Sequence, residues 1–136
     1  MLGQEWLSYS RRMFSEEVLE HFRNPRNAGE LADADAAVEV TNPVCGDVLK
    51  LAARVSGGRI GEVRFLCRGC TTAIACGSLL TESLRGKLPS EISAMSPEVI
   101  SAALGGLPPA TFHAAQLAAD AAVALLKSLG DGRSRR

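Results

Sequence analysis

The sequence predicts a single α+β domain built on a three-stranded, mainly antiparallel sheet. Three observations carry this. Strand-like alternation is confined to residues 37–66, helix-like patterning fills the chain from residue 71 onward, and a Gly57-Gly58 pair separates the last two strand patterns. Strands followed by helices, rather than strands alternating with them, give α+β rather than a parallel sheet.

The first helix starts at Ser15, a residue type that caps helix N-termini. Glu16 and Glu17 complement the positive end of the helix dipole, and Phe14 and Leu19 are spaced as a hydrophobic staple. It stops before Asn24-Pro25, because a proline disfavours helix in the residue before it. Residues 24–35 are polar, small and turn-rich, and read as a loop. Strands are expected at 37–41, 48–55 and 60–66. In the second, Leu49, Leu51, Ala53 and Val55 share one face and Lys50 and Arg54 the other. Gly57-Gly58 supplies the hairpin turn. Thr71 or Thr72 caps the next helix, which runs to Arg85 and stops at Gly86, with Ala73, Cys76, Leu80 and Leu84 as its apolar stripe. Ser96 caps a short helix with Pro97 at its first position, ended by Gly105-Gly106. Pro108-Pro109 resets the chain, and an alanine-rich helix over 112–129 closes at Gly130.

The 136 residues suit one domain, with no internal repeat, and a hydrophobic fraction of 46% argues against disorder over most of it. Residues 1–12 are expected to be a disordered extension, or to reflect a start codon placed ahead of Met13. Residues 13–130 form the domain, and 131–136 a disordered basic tail ending in Arg133, Arg135 and Arg136. Acidic and basic residues balance at 15 each, so no net field points to nucleic acid or a membrane surface. No apolar run approaches the roughly 20 residues that span a bilayer, and Arg11 and Arg12 lie on the wrong side of the N-terminal apolar stretch for an export signal. A cytoplasmic, reducing location follows, where clustered thiols suggest metal binding or thiol chemistry before disulfides.

The four cysteines are Cys45, Cys67, Cys70 and Cys76. Cys45 lies in Asn42-Pro43-Val44-Cys45-Gly46-Asp47, a loop between two strands, and the carboxylate of Asp47 and the thiol of Cys45 are close enough in sequence to share one metal. Cys70 follows Gly69 and immediately precedes a helix, whose N-terminal N–H groups favour thiolate. Cys67 shares strand parity with Val63 and Phe65, so a core position competes with a functional one. Cys76 falls on the buried stripe and reads as packing. A redox pair Cys67-x-x-Cys70 fits the spacing, but no thioredoxin-like βαβ pattern surrounds it. Of the two histidines, His21 reads as a packing or surface residue. His113 opens the last helix after Pro108-Pro109, where an imidazole could join Cys45 and Cys70.

These residues resemble those of the scaffold proteins of iron–sulfur cluster assembly, the IscU and NifU N-terminal-domain type. The likeness runs from Met13 to about Leu129. It rests on His21-Phe22-Arg23-Asn24-Pro25-Arg26-Asn27, on Asn42-Pro43-Val44-Cys45-Gly46-Asp47, and on Gly69-Cys70-Thr71-Thr72-Ala73-Ile74-Ala75 with Ser78, Thr81 and Glu82. It also takes in Leu107-Pro108-Pro109 with His113, Leu117, Ala118 and Asp120. The resemblance implies an α+β fold with a small antiparallel sheet packed by about five helices. It implies iron or a [2Fe–2S] cluster held by Cys45, Asp47, Cys70 and His113, sulfur supplied as persulfide by a cysteine desulfurase, and transfer to apo iron–sulfur acceptor proteins, without turnover as an enzyme.

Two departures from the family pattern stand out. The family's third cysteine, a ligand and usual persulfide acceptor, follows the histidine; here that position is Ala114. Cys67, three residues before Cys70, is expected to replace part of that function if a bulge at the strand end turns it outward. Two chains pairing Cys45 and Cys70 in a homodimer would be another compensation. The family's chaperone-recognition segment carries Lys where this chain has Thr111, so chaperone binding is not expected. The alternatives are a zinc-binding SufU-like sulfur acceptor, ranked lower because the insertion of that subtype between Cys70 and His113 is missing, and a degenerate desulfurase-binding regulator without metal. A Cys–His hydrolase using Cys70 and His113 is disfavoured, since two thiols and a carboxylate suit a metal better.

Overall fold

The computed structural model describes residues 14–134; the expected N-terminal extension and the last two residues of the basic tail lie outside it. In chain order the elements are α1 (Glu16–Arg23), β1 (Ala36–Thr41), β2 (Val48–Ser56), β3 (Arg59–Arg68), α2 (Thr71–Leu84), a 3₁₀ helix (Pro89–Ala94), α3 (Pro97–Ala103), a second 3₁₀ turn (Pro109–Thr111) and α4 (Phe112–Ser134). The expected α+β architecture is present, with four α-helices and two 3₁₀ segments among the described residues. The 3₁₀ helix Pro89–Ala94 has no counterpart in the sequence reading.

The sheet is fully antiparallel in the order β1-β2-β3. Leu49, Leu51 and Ala53 of β2 and Val63 and Phe65 of β3 are buried on its inner face, where α2 and α4 pack. Val55 leaves that row half-exposed, because the β2–β3 ladder shifts register between Arg54 and Val55. A Cβ built on Gly77 would lie 2.7 Å from the Phe65 ring, so α2 approaches the sheet this closely only through a glycine.

The caps explain most boundaries. Ser15 Oγ accepts the Val18 N–H at 3.0 Å and donates to the Leu104 carbonyl at 2.6 Å, tying α1 to the end of α3. Ser96 caps α3 as expected. Two boundaries differ from expectation. Cys70, not a threonine, is the N-cap of α2: its Sγ accepts the Ala73 N–H at 3.4 Å. And α4 runs through Gly130 to Ser134, so the first part of the expected tail is helical; Gly130 is not among the positive-φ glycines that would end a helix. The stripe expected on α2 is too narrow as well, since Thr72, Ser78 and Thr81 are also buried.

Candidate metal centre

The β1–β2 connection is a loop shaped by one side chain. Asn42 Oδ1 accepts the N–H groups of Val44 at 2.8 Å and Cys45 at 3.2 Å, while its backbone N–H donates to the Asp47 carbonyl and its own carbonyl accepts from Gly46 N–H, both at 2.8 Å. Gly46 sits at φ +79°, the left-handed region, which returns the chain to β2. The Cys45 side chain therefore projects from a tied-down, exposed loop.

The ladder then fixes Asp47. Val48 pairs with Arg68, so Asp47 falls opposite Gly69. A Cβ on Gly69 would lie 2.8 Å from Asp47 Cγ, so this glycine leaves the room the carboxylate occupies. Asp47 Oδ2 accepts the Cys70 N–H at 3.4 Å, which joins the Cys45 loop to the start of α2. From the other side, the Pro109–Thr111 turn leads into α4, whose second residue is His113. The next two, Ala114 and Ala115, are buried and hold that helix start against the core.

These elements bring Cys45, Asp47 and His113 together: one ligand atom from each lies within 4.8 Å of the other two. A soft thiol, a hard carboxylate and an imidazole on one spot form a mixed donor set suited to iron or zinc. Cys70 is not within that distance set. It borders the group through Asp47 and is occupied as a helix cap.

The electrostatics run against one expectation. Crowding of the Cys70 sulfur raises its pKa, and the neighbouring Asp47 carboxylate adds to the rise; the N–H groups of Ala73 and Thr72 pull the other way without prevailing. The helix terminus therefore does not, on balance, lower the Cys70 pKa. Burial first, then Asp47 and Cys70, push the Cys67 thiol up to about 11. Cys76 is 0% exposed and is pushed up to about 12 by burial, with the other two thiols contributing. Cys76 thus packs the core, as its helix position implied. Cys67 pairs with Leu49 in an unbroken stretch of ladder. The bulge that would have turned it outward is absent, and its side chain stays half-buried.

His21 belongs to a separate structure. Its Nδ1 lies 2.7 Å from Ser78 Oγ, which also accepts the Arg26 N–H at 2.8 Å. The Thr81 hydroxyl lies 3.1 Å from the Arg26 carbonyl, and Asn27 Nδ2 donates to Thr81 Oγ1 at 3.2 Å. The stretch from His21 to Asn27 thus clamps the 24–35 loop onto α2. Sequence reasoning missed two residues that position the centre, Asn42 and Gly69. An Asn three residues before the loop cysteine, and a glycine next to a metal-type cysteine, were the available signals.

The NifU-like N terminal domain matches residues 13–131. The chain belongs to that family. A relative in Archaeoglobus fulgidus, named iron-sulfur cluster assembly scaffold protein IscU 1, is 43% identical over 109 residues, covering 80% of this chain and 71% of the relative. The Aquifex aeolicus protein named iron-sulfur cluster assembly scaffold protein IscU is 41% identical over 106 residues, covering 76% and 68%. The solved NifU-like N-terminal structure from Brucella abortus superposes with a TM-score of 0.67 over 88% of this chain and 95% of that one. At 20% identity it shows the shared NifU-like N-terminal fold. Among the described residues no helix is long and apolar enough to cross a membrane.

Proposed function

We propose that this chain is a cytoplasmic scaffold and carrier that binds iron, assembles a labile [2Fe–2S] cluster and passes it to acceptor proteins. The observation that carries the reading is the convergence of Cys45, Asp47 and His113 within 4.8 Å at the surface, with Cys70 beside Asp47. The names of the IscU relatives support the same reading. Cys45, Asp47, Cys70 and His113 form the ligand set, and the unit that performs the task is 13–130.

A site of this make-up suits cargo. Two thiolates, a carboxylate and an imidazole on exposed loops and helix starts hold a cluster without enclosing it, so an acceptor reaches it from solvent. The family pattern places a further cysteine where this chain has Ala114, whose methyl is 1% exposed and packed in the core. Sulfur arrives as persulfide from a cysteine desulfurase. Handling by a chaperone that needs a lysine at Thr111 is not part of the proposal.

Anaerobic reconstitution with iron and sulfide tests this. Visible charge-transfer bands that disappear in Cys45→Ser are expected. A chain that takes up zinc but develops no visible band would instead be a zinc-dependent sulfur acceptor, and one that binds neither metal yet still binds a desulfurase would be a regulator.

A further inference from the structure

Cys67 remains outside the ligand set just described, and its place in the ladder gives it a route to the site other than the bulge. Asp47 continues β2 by one residue and Gly69 continues β3 by one, so the two face each other across the ladder. Side chains two residues apart on a strand lie on the same face. Cys67, two residues before Gly69, therefore projects to the same side as Asp47, as its diagonal neighbour. Such neighbours stand about 7–8 Å apart at Cα and closer at their side chains. Gly69 contributes no side chain to the space between them. The electrostatics agree on proximity: after burial, Asp47 and Cys70 both act on the Cys67 thiol, whereas Cys76 is acted on by Cys70 and Cys67 only.

We infer that Cys67 is a third thiolate ligand to the metal or cluster, entering beneath Asp47 from the sheet side. This rests on the scaffold reading above and adds a residue to it. The register already puts this sulfur on the Asp47 side of the ladder, and a metal–sulfur bond is about 2.3 Å long. Binding replaces the thiol proton with the metal and releases that proton to solvent. The third sulfur then comes from the end of β3 rather than from the first turn of α4, where Ala114 is a buried methyl. The half-buried position fits the role, whereas Cys76 is sealed into the core.

Cobalt(II) titrated into the full chain under reducing, anaerobic conditions reads the number of thiolates directly, because the near-ultraviolet sulfur-to-cobalt band grows with each one. In Cys67→Ala and Cys67→Ser the saturated band is expected to fall by about one third, with helical circular dichroism unchanged, while Cys76→Ala keeps the full band. A full band in both Cys67 variants, or an equal loss in Cys76→Ala, overturns the proposal. The underlying site is read separately from Cys70→Ser and from the parent. If the parent shows no band, or Cys70→Ser loses nothing, the scaffold reading itself has failed, whatever the Cys67 variants do.

Discussion

Helix α2 carries a polar cluster at its middle and another at its start, and the two are built oppositely. At the middle, Ser78 and Thr81 are fully buried, and their hydroxyls join His21, Arg26 and Asn27 in a connected network. At the start, Cys45, Asp47 and His113 come together at the surface, and Cys70 borders them through its backbone N–H to Asp47. Buried polar groups cost stability unless each has a partner. Exposed donors that converge without pairing gain nothing for the fold and remain available to a ligand. The contrast separates the polar cluster that holds the fold from the one held ready for chemistry.

Four substitutions or conditions break or sharpen that contrast, from the largest expected effect to the smallest. Cys45→Ser should lower metal affinity by more than about 100-fold, beyond what loss of an outer-shell partner costs, and leave the urea midpoint unchanged; equilibrium competition with a chelator and denaturation curves read the two. Ser78→Ala should do the reverse. It orphans the Arg26 N–H and removes the His21 partner, costing about 1–3 kcal/mol in urea unfolding, while cobalt or zinc affinity stays at the parent value.

Gly69→Ala probes the glycine that leaves room for the Asp47 carboxylate. Its new methyl would press on Asp47 at 2.8 Å from Cγ and 3.1 Å from Cβ, displacing the carboxylate. Metal affinity should fall about tenfold with little change in melting temperature, because Gly69 has no positive φ to be strained. The smallest effect is on acid stability. Burial, then the Arg26 guanidinium, holds His21 below the ordinary imidazole value of 6.5, against the opposing pull of Glu82 and Glu20. The unfolded chain therefore takes up a proton before the folded one does. The contribution is complete above pH 6.5 and is lost as pH falls below it toward the folded value. Unfolding midpoints should decline through that window, and His21→Gln should flatten the decline.

Much of this was legible in the residues. The three strands, the glycine hairpin and the Ser15 and Ser96 caps follow from local chemistry, and local chemistry is what periodicity and capping rules describe. The family resemblance, rather than spacing, put Cys45, Asp47, Cys70 and His113 in one expected set, and of these Cys45, Asp47 and His113 converge while Cys70 stands beside Asp47. What could not be seen depends on tertiary contact. The register that sets Asp47 opposite Gly69 is a pairing between strands, and the burial that raises the Cys70 thiol comes from packing around it. The Gly130 stop failed because a glycine ends a helix only if the chain adopts positive φ there. The bulge at Cys67 failed because its pairing with Leu49 is uninterrupted.

The most direct test is iron and sulfide content after anaerobic reconstitution, measured on the parent chain and on Cys70→Ser. The expected result is iron and sulfide in equal amounts on the parent, with both largely lost from the variant. Iron and sulfide absent from the parent, or retained undiminished by Cys70→Ser, would contradict the assignment of this surface as the place where the cluster is built.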